Sequence, residues 1–178
     1  LFHLPLRYED RTRVTLAARA RVGEYMQFEG EITSCELQFG KRRSLRCSLR
    51  DSSGSMTLRF FHFSAAQKES LAVGTQLRVY GEVKHGRAGF ELFHPEYKPL
   101  SQVSQEASDT LTPIYPTTEG LMQPRLRSII GQAVDLVVGN EAIEDYLPRE
   151  IVAKFNLASL TDAIRHIHRP PANAYGGW

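Results

Sequence analysis

The 178 residues hold one tryptophan, three methionines and two cysteines. Two cysteines do not make the disulfide framework of a small secreted domain. Cys35 and Cys47 fall on neighbouring predicted strands, and the expected state is two small buried thiols in a reducing compartment. No apolar run approaches the roughly 18 residues of a membrane span. No signal peptide or lipidation pattern is visible, and the sequence opens on Leu1 rather than Met, so it reads as part of a longer chain. Catalytic signatures are missing too. Gly40-Lys41 is followed by Arg42 rather than Ser or Thr, with no glycine five positions before Gly40, which excludes a phosphate loop. His166 and His168, two apart on a helix, point in roughly opposite directions and cannot share a metal. There is no Gly-x-Ser-x-Gly elbow. No metal site, cofactor or catalytic residue is expected.

What is present is uneven charge. The net charge is +2, but residues 1–100 carry 16 Lys and Arg against 11 Asp and Glu, whereas residues 101–178 carry 6 against 9. The first half is therefore the basic half and favours an anionic partner.

That half is organised around residues 25–97. A first strand over about 25–37 alternates Met26, Phe28, Gly30 and Ile32, after which the apolar parity moves to Cys35 and Leu37. A parity switch inside one strand predicts a bulge or sharp bend, easiest near Gly30. A hairpin around Phe39-Gly40 leads to a second strand with Leu45, Cys47 and Leu49 inward and Arg46, Ser48 and Arg50 outward. Asp51-Ser52-Ser53-Gly54 is a turn. The third strand points Met56, Leu58 and Phe60 inward and Thr57, Arg59 and Phe61 outward. Ser64 with Gln67 makes a capping box for a short helix from Ala65 to about Leu71, and Gly74 ends that unit. The fourth strand has Leu77, Val79, Gly81 and Val83 on one face. A turn over Lys84–Gly89 leads to a fifth with Phe90 and Leu92 inward. Three strands, a helix and two strands predict a mainly β fold with appended α: a five-stranded oligonucleotide/oligosaccharide-binding (OB) barrel followed by a short helical segment.

In such a barrel the loops joining strands one to two and four to five flank the binding face. Here they carry Lys41, Arg42 and Arg43, and Lys84, His85 and Arg87. With outward Arg59 they are the expected phosphate contacts, extended by Arg46 and Arg50. Phe61 is an aromatic on a face whose neighbours are polar, as base stacking requires beside positive charge. Phe63 either stacks or fills the gap under the helix, and Phe39 at the hairpin tip is a third aromatic of this kind.

The expected organisation is an extended arm over 1–24 packing on the barrel, the barrel over 25–100, a linker over 101–123 and helices over 124–178. Pro113 and Pro116 keep Leu111–Pro116 extended. Leu126, Ile129, Ile130, Ala133, Val134 and Val137 recur at helical spacing between Pro124 and Gly139. A second helix follows Pro148, and a third runs from about Ser159 to His168 before Pro170-Pro171. From the residues alone, a single-strand-binding barrel and a protein-interaction barrel taking an acidic peptide both stay open.

Four stretches, Leu4-Pro5-Leu6-Arg7-Tyr8-Glu9-Asp10-Arg11-Thr12, Arg59-Phe60-Phe61-His62-Phe63-Ser64, His94-Pro95-Glu96-Tyr97 and Leu111-Thr112-Pro113-Ile114-Tyr115-Pro116-Thr117-Thr118-Glu119-Gly120-Leu121, closely resemble the bacterial RecG family of branched-DNA helicases. The resemblance extends in order to about Asn173. It implies a wedge domain with its following linker, placed before two motor domains, that splits strands at stalled forks and Holliday junctions in DNA repair and recombination. It implies that Phe61, and less directly Phe63, stacks on orphaned bases; some relatives have a second aromatic where this chain has Ala65. It also implies a bacterial, cytoplasmic and nucleoid-associated setting, with branched DNA and the chain's own motor domains as partners and without membrane association; the tail of a single-stranded-DNA-binding protein is the partner that the protein-interaction reading would take. ATP and magnesium are expected only in the motor domains, so no ATP hydrolysis is expected of these residues.

Overall fold

A computed structural model describes residues 3–39, 43–103, 109–117, 120–139 and 143–176. It divides into two compact units, Arg13–Ser108 and a second made of Leu1–Thr12 with Asp109–Trp178.

The first unit is the barrel. Strands β2 (Tyr25–Gln38), β3 (Ser44–Arg50), β4 (Ser55–Phe60), β5 (Gln76–Gly86) and β6 (Gly89–Phe93) close in the order β2-β3-β4-β6-β5, with β5 returning to β2. All contacts in the ring are antiparallel except β4 with β6. A further strand, β7 (Glu96–Pro99), pairs with β5 beyond β6. Helix α1 (Ala65–Ser70) lies between β4 and β5, and the Ser64 hydroxyl accepts from the Gln67 N–H at 3.1 Å. The architecture is the mainly β barrel with appended helices that the strand order predicts.

Strand β2 closes the ring because it serves two neighbours. Residues 25–31 pair with β5 and residues 31–38 with β3, with a register shift between Ile32 and Ser34. That shift is the bulge called for by the parity switch. Gly30 sits at the crossing, where a Cβ would come within 2.5 Å of the Arg50 carbonyl oxygen. Inside, Phe28, Ile32, Leu45, Cys47, Leu58, Phe60, Leu77, Val79, Val83 and Leu92 are fully buried. Each such apolar side chain contributes about 1.5–3 kcal/mol by leaving water.

Residues 13–24 belong to this unit. Val14 bridges to Gln27, and Ala17, in a 3₁₀ turn over Ala17–Arg19, is buried in the barrel core. The turn between β3 and β4 holds it there. The Asp51 carboxylate accepts from Ala17 N–H at 2.6 Å, Ser53 N–H and Oγ at 2.7 Å and Gly54 N–H at 2.9 Å. Burial pushes the Asp51 carboxyl up, but those donors, Ala17 foremost, outweigh it and hold the group below the usual carboxylate range. A lowered folded-state pKa gives stability that is complete above the unfolded value near 3.9 and is lost as pH falls through the lower folded value. Asp51→Ala is expected to cost about 1–3 kcal/mol, read as a lower urea midpoint at pH 7 that converges on the wild type as pH falls through the lowered folded value.

Two expectations are corrected here. Cys35 and Cys47 face each other in the β2–β3 register and form a disulfide rather than remaining as free thiols. The cause is register: a directly opposite cross-strand pair puts the two Cβ atoms within bonding reach. The single arm over 1–24 also divides after Thr12. Its first part pairs as β1 (Arg7–Glu9) with β8 (Thr112–Ile114) in the second unit, because Leu111–Ile114 offers an extended edge there.

In that unit α2 (Gln123–Gly139) buries Leu126, Ile130, Val134 and Val137, whereas Ile129, expected on the same stripe, is exposed. Helices α3 (Arg149–Lys154) and α4 (Leu160–His168) follow, and Ser159 caps α4 by accepting from Asp162 N–H. Tyr115 packs with Leu126, Ile130, Val134 and Ile164. Its hydroxyl lies 2.8 Å from His168 Nδ1, and burial, then the neighbouring Tyr8, pushes the phenol up to about 12. His168 is thus a core partner of Tyr115. Among the described residues no helix is long and apolar enough to cross a membrane.

Candidate nucleic-acid interface

Ladder register assigns the outward residues of the barrel to shared rows. Glu36 opposes Arg46, Arg46 opposes Arg59, and Arg59 opposes Phe93. One step along, Ser48 opposes Thr57, Thr57 opposes Glu91, and Glu91 opposes Lys84. Directly opposed residues lie on one face of a sheet, so Arg46, Arg59, Lys84, Glu91 and Phe93 share the outer surface of β3-β4-β6-β5. Phe61, one residue past β4, continues the outward parity of Thr57 and Arg59.

The aromatic groups gather where β4 and β6 end. The Phe61 ring meets Phe93 edge-to-face at 5.6 Å and lies 5.7 Å from His94. His62 stacks on His94 at 6.1 Å. Phe93 is 37% exposed. Arg59 Cζ and Lys84 Nζ lie over its ring, 5.9 and 5.4 Å from the centroid. Neither cation is loose: Arg59 pairs with Glu91 and Lys84 with Glu82, each at 3.4 Å. Glu91 itself is buried, and it lies across Gly86, where any Cβ would overlap its carboxylate. Arg59 Nε is buried with no hydrogen-bond partner among the described residues.

His94 ties the two strand ends together. Its N–H donates to the Arg59 carbonyl at 2.9 Å, and its Nε2 accepts from the Phe61 N–H at 3.2 Å. Its φ of 47° is left-handed, unusual for a residue before proline and a local cost of about 1–3 kcal/mol that the two bonds help to offset. Accepting at Nε2 requires the proton on Nδ1 and a neutral ring. Packing of the ring's flank against Phe60, then the charge of His62, holds the His94 pKa below the ordinary 6.5. The neutral-ring contact is therefore complete above about pH 6.5 and lost as pH falls through the lower folded value. In an NMR titration the Phe61 amide shift should move with His94, with a midpoint below 6.5; a midpoint above 6.5 would contradict this bond.

Of the residues singled out in the sequence, Lys41 and Arg42 lie outside the described residues. Arg43 is exposed, with its guanidinium 5.3 Å from the Phe63 ring centroid. Phe63 packs against the barrel core; Phe61 is half-buried and has no place in that core, and Phe39 is exposed. Arg87 is exposed in the tight β5–β6 turn. The structure does not bring that turn to the aromatic cluster: the five residues of β6 put four steps between Gly89 and Phe93, roughly 13 Å at about 3.3 Å per step. Arg43, beside the end of β3 that pairs with Phe60, and Arg87, in the β5–β6 turn, therefore lie toward opposite ends of the barrel wall. The parity that marks Phe61 also marks Phe93, since Leu92 points inward. The opposite character is found in a depression lined by Glu29, Glu31, Thr33, Arg50, Asp51 and Gln76, whose three carboxylates disfavour phosphate.

The chain is similar to known proteins over nearly its whole length. The family model for the RecG wedge domain matches residues 1–137. The ATP-dependent DNA helicase RecG of Escherichia coli K12 is 47% identical over 172 residues, covering 96% of this chain and 24% of that protein. The protein of the same name from Haemophilus influenzae is 45% identical over 174 residues, with the same shares covered. The chain thus spans about a quarter of the length of these curated relatives. Among solved structures, RecG bound to a three-way DNA junction superposes with a TM-score of 0.79 at 25% identity, covering 95% of this chain and 23% of that one.

Proposed function

This chain belongs to the RecG wedge-domain family, and from that premise we propose that it is the DNA-binding wedge of an ATP-dependent DNA helicase, holding strands apart at the branch points of forks and Holliday junctions. The observation that carries the reading is the outer β4–β6 face, where half-buried Phe61 and exposed Phe93 stand among Arg46, Arg59 and Lys84. A flat apolar ring at an edge of positive potential takes a base, while neighbouring cations take its phosphate. Phe61 is the stacking residue in this reading; Phe63, packed on the core, is secondary. Arg43, Arg59, Lys84 and Arg87, with Lys41 and Arg42 of the same loop, contact phosphates.

Unwinding belongs to the whole protein. Motor domains elsewhere in it bind ATP and magnesium and pull the duplex, and the wedge divides the strands. The setting is the bacterial cytoplasm at the nucleoid. A single-stranded-DNA-binding protein is a second partner, its acidic tail meeting the same basic loops.

Hydrogen exchange by this chain, with and without a three-way fork, tests where DNA sits. Protection should appear on β4, β6 and the residues around Phe61 and Arg43. Protection centred on the depression at Glu29 and Glu31 would overturn the assignment. Protection of the β4–β6 face by an acidic peptide but not by DNA would replace it with a protein-interaction barrel.

A further inference from the structure

We propose that Phe93 is a second base-stacking residue, which holds a different base from the one held by Phe61. This rests on the wedge reading above and extends it to a residue that strand parity and exposure identify. Three observations carry it.

First, Phe93 is the aromatic of β6 that faces outward while its neighbour Leu92 is fully buried. Removing a ring from water stabilises a core, so an aromatic left more than a third exposed on a sheet face contributes little to folding there. Second, the planes of Phe61 and Phe93 are inclined by 75° with centroids 5.6 Å apart. Each ring therefore turns its π-face in its own direction, and one base cannot lie flat on both. Two bases on diverging strands can. Third, two cations lie at Phe93, Arg59 Cζ and Lys84 Nζ at 5.9 and 5.4 Å from the ring centroid, so a base that lies flat on the ring displaces them toward its own phosphate. Their carboxylate partners Glu91 and Glu82 hold them at the patch, in position to meet the phosphate that accompanies a stacked base. The same carboxylates lower the local positive charge, so phosphate attraction alone is weak here and the ring becomes the discriminating contact.

The test uses three-way forks carrying 2-aminopurine at the branch nucleotide of either arm, because its fluorescence is quenched by stacking. Wild type should quench the probe on both arms. Phe93→Ala should restore fluorescence on one arm and Phe61→Ala on the other, and each should lower fork affinity by about 5- to 150-fold, the range for one stacked base. Phe93→Leu keeps apolar volume without a π-face and should behave like Phe93→Ala; Phe93→Trp should restore both quenching and affinity. If Phe61→Ala frees a probe but Phe93→Ala and Phe93→Leu leave both arms quenched, the role of Phe93 is overturned while the wedge reading stands. If Phe93→Leu binds and quenches as wild type but Phe93→Ala does not, Phe93 acts by packing and the proposal also fails. If wild type quenches neither probe and binds the fork no better than duplex, the wedge reading fails and takes this inference with it.

Discussion

Replacing Phe61 by alanine will lower affinity for a three-way fork by about 5- to 150-fold, the equivalent of one stacked base at about 1–3 kcal/mol. The fold will survive. Phe61 follows β4, is half-buried, and touches Phe93 and His94 rather than the barrel core. The edge-to-face pair with Phe93 is worth about 0.5–1.5 kcal/mol beyond the area the ring buries, so the stability lost stays well below that of a core ring. The backbone hydrogen bond from the Phe61 N–H to His94 does not depend on the side chain and remains. Plain duplex affinity should change less than fork affinity, since duplex offers phosphates but no unpaired base to the ring. Fork and duplex titrations with wild type and Phe61→Ala, beside a urea melt of each, measure both halves of this expectation. An equal loss on fork and duplex would mean that Phe61 shapes the face rather than stacks on it.

Its neighbour in sequence should behave in the opposite way. Phe60→Ala is expected to cost about 3–5 kcal/mol of folding stability. Phe60 is 1% exposed and meets His94 and Tyr97 edge-to-face, at 6.0 and 5.8 Å. Deleting the ring removes its transfer free energy and opens a cavity beside His94 and Tyr97. Against a typical total of about 5–15 kcal/mol for a domain, that loss takes much of what holds the barrel. The measurement is the urea midpoint; a change below about 1 kcal/mol would mean that the site collapses to fill the cavity. Two adjacent phenylalanines, one for folding and one for binding, follow from a repeat of two along β4.

That repeat is also why so much of the barrel was legible in the sequence. The inward sets Leu45-Cys47-Leu49, Met56-Leu58-Phe60 and Leu77-Val79-Gly81-Val83 are all buried as the alternation requires. The break in parity after Ile32 marks the bulge that lets β2 serve two neighbours. Ser64 and Gln67 mark α1 through a local hydrogen bond. What was not legible depends on partners far along the chain. Strand β7 carries Pro99 and only four residues, and its role comes from the free side of β5. The division after Thr12 depends on pairing with residues more than a hundred positions away. The disulfide depends on the register of two strands, which composition cannot supply. At the interface, outward Phe61 was visible by parity, whereas the carboxylates that restrain Arg59 and Lys84 were not, because Glu91 and Glu82 become neighbours of those cations only once the ladder is built. His94 was visible only within a motif; its part in fixing the Phe61 backbone needs the left-handed turn that precedes Pro95.

The most direct test of the central claim is fluorescence anisotropy with a three-way fork, a plain duplex and a single strand, at about 50 and about 200 mM salt, where phosphate contacts lose most of their strength. The account predicts tighter binding to the fork than to either other shape, weakened by salt for all three, with the fork preference itself abolished by Phe61→Ala. Equal and weak binding to all three shapes, or no DNA binding even at the lower salt, would contradict it.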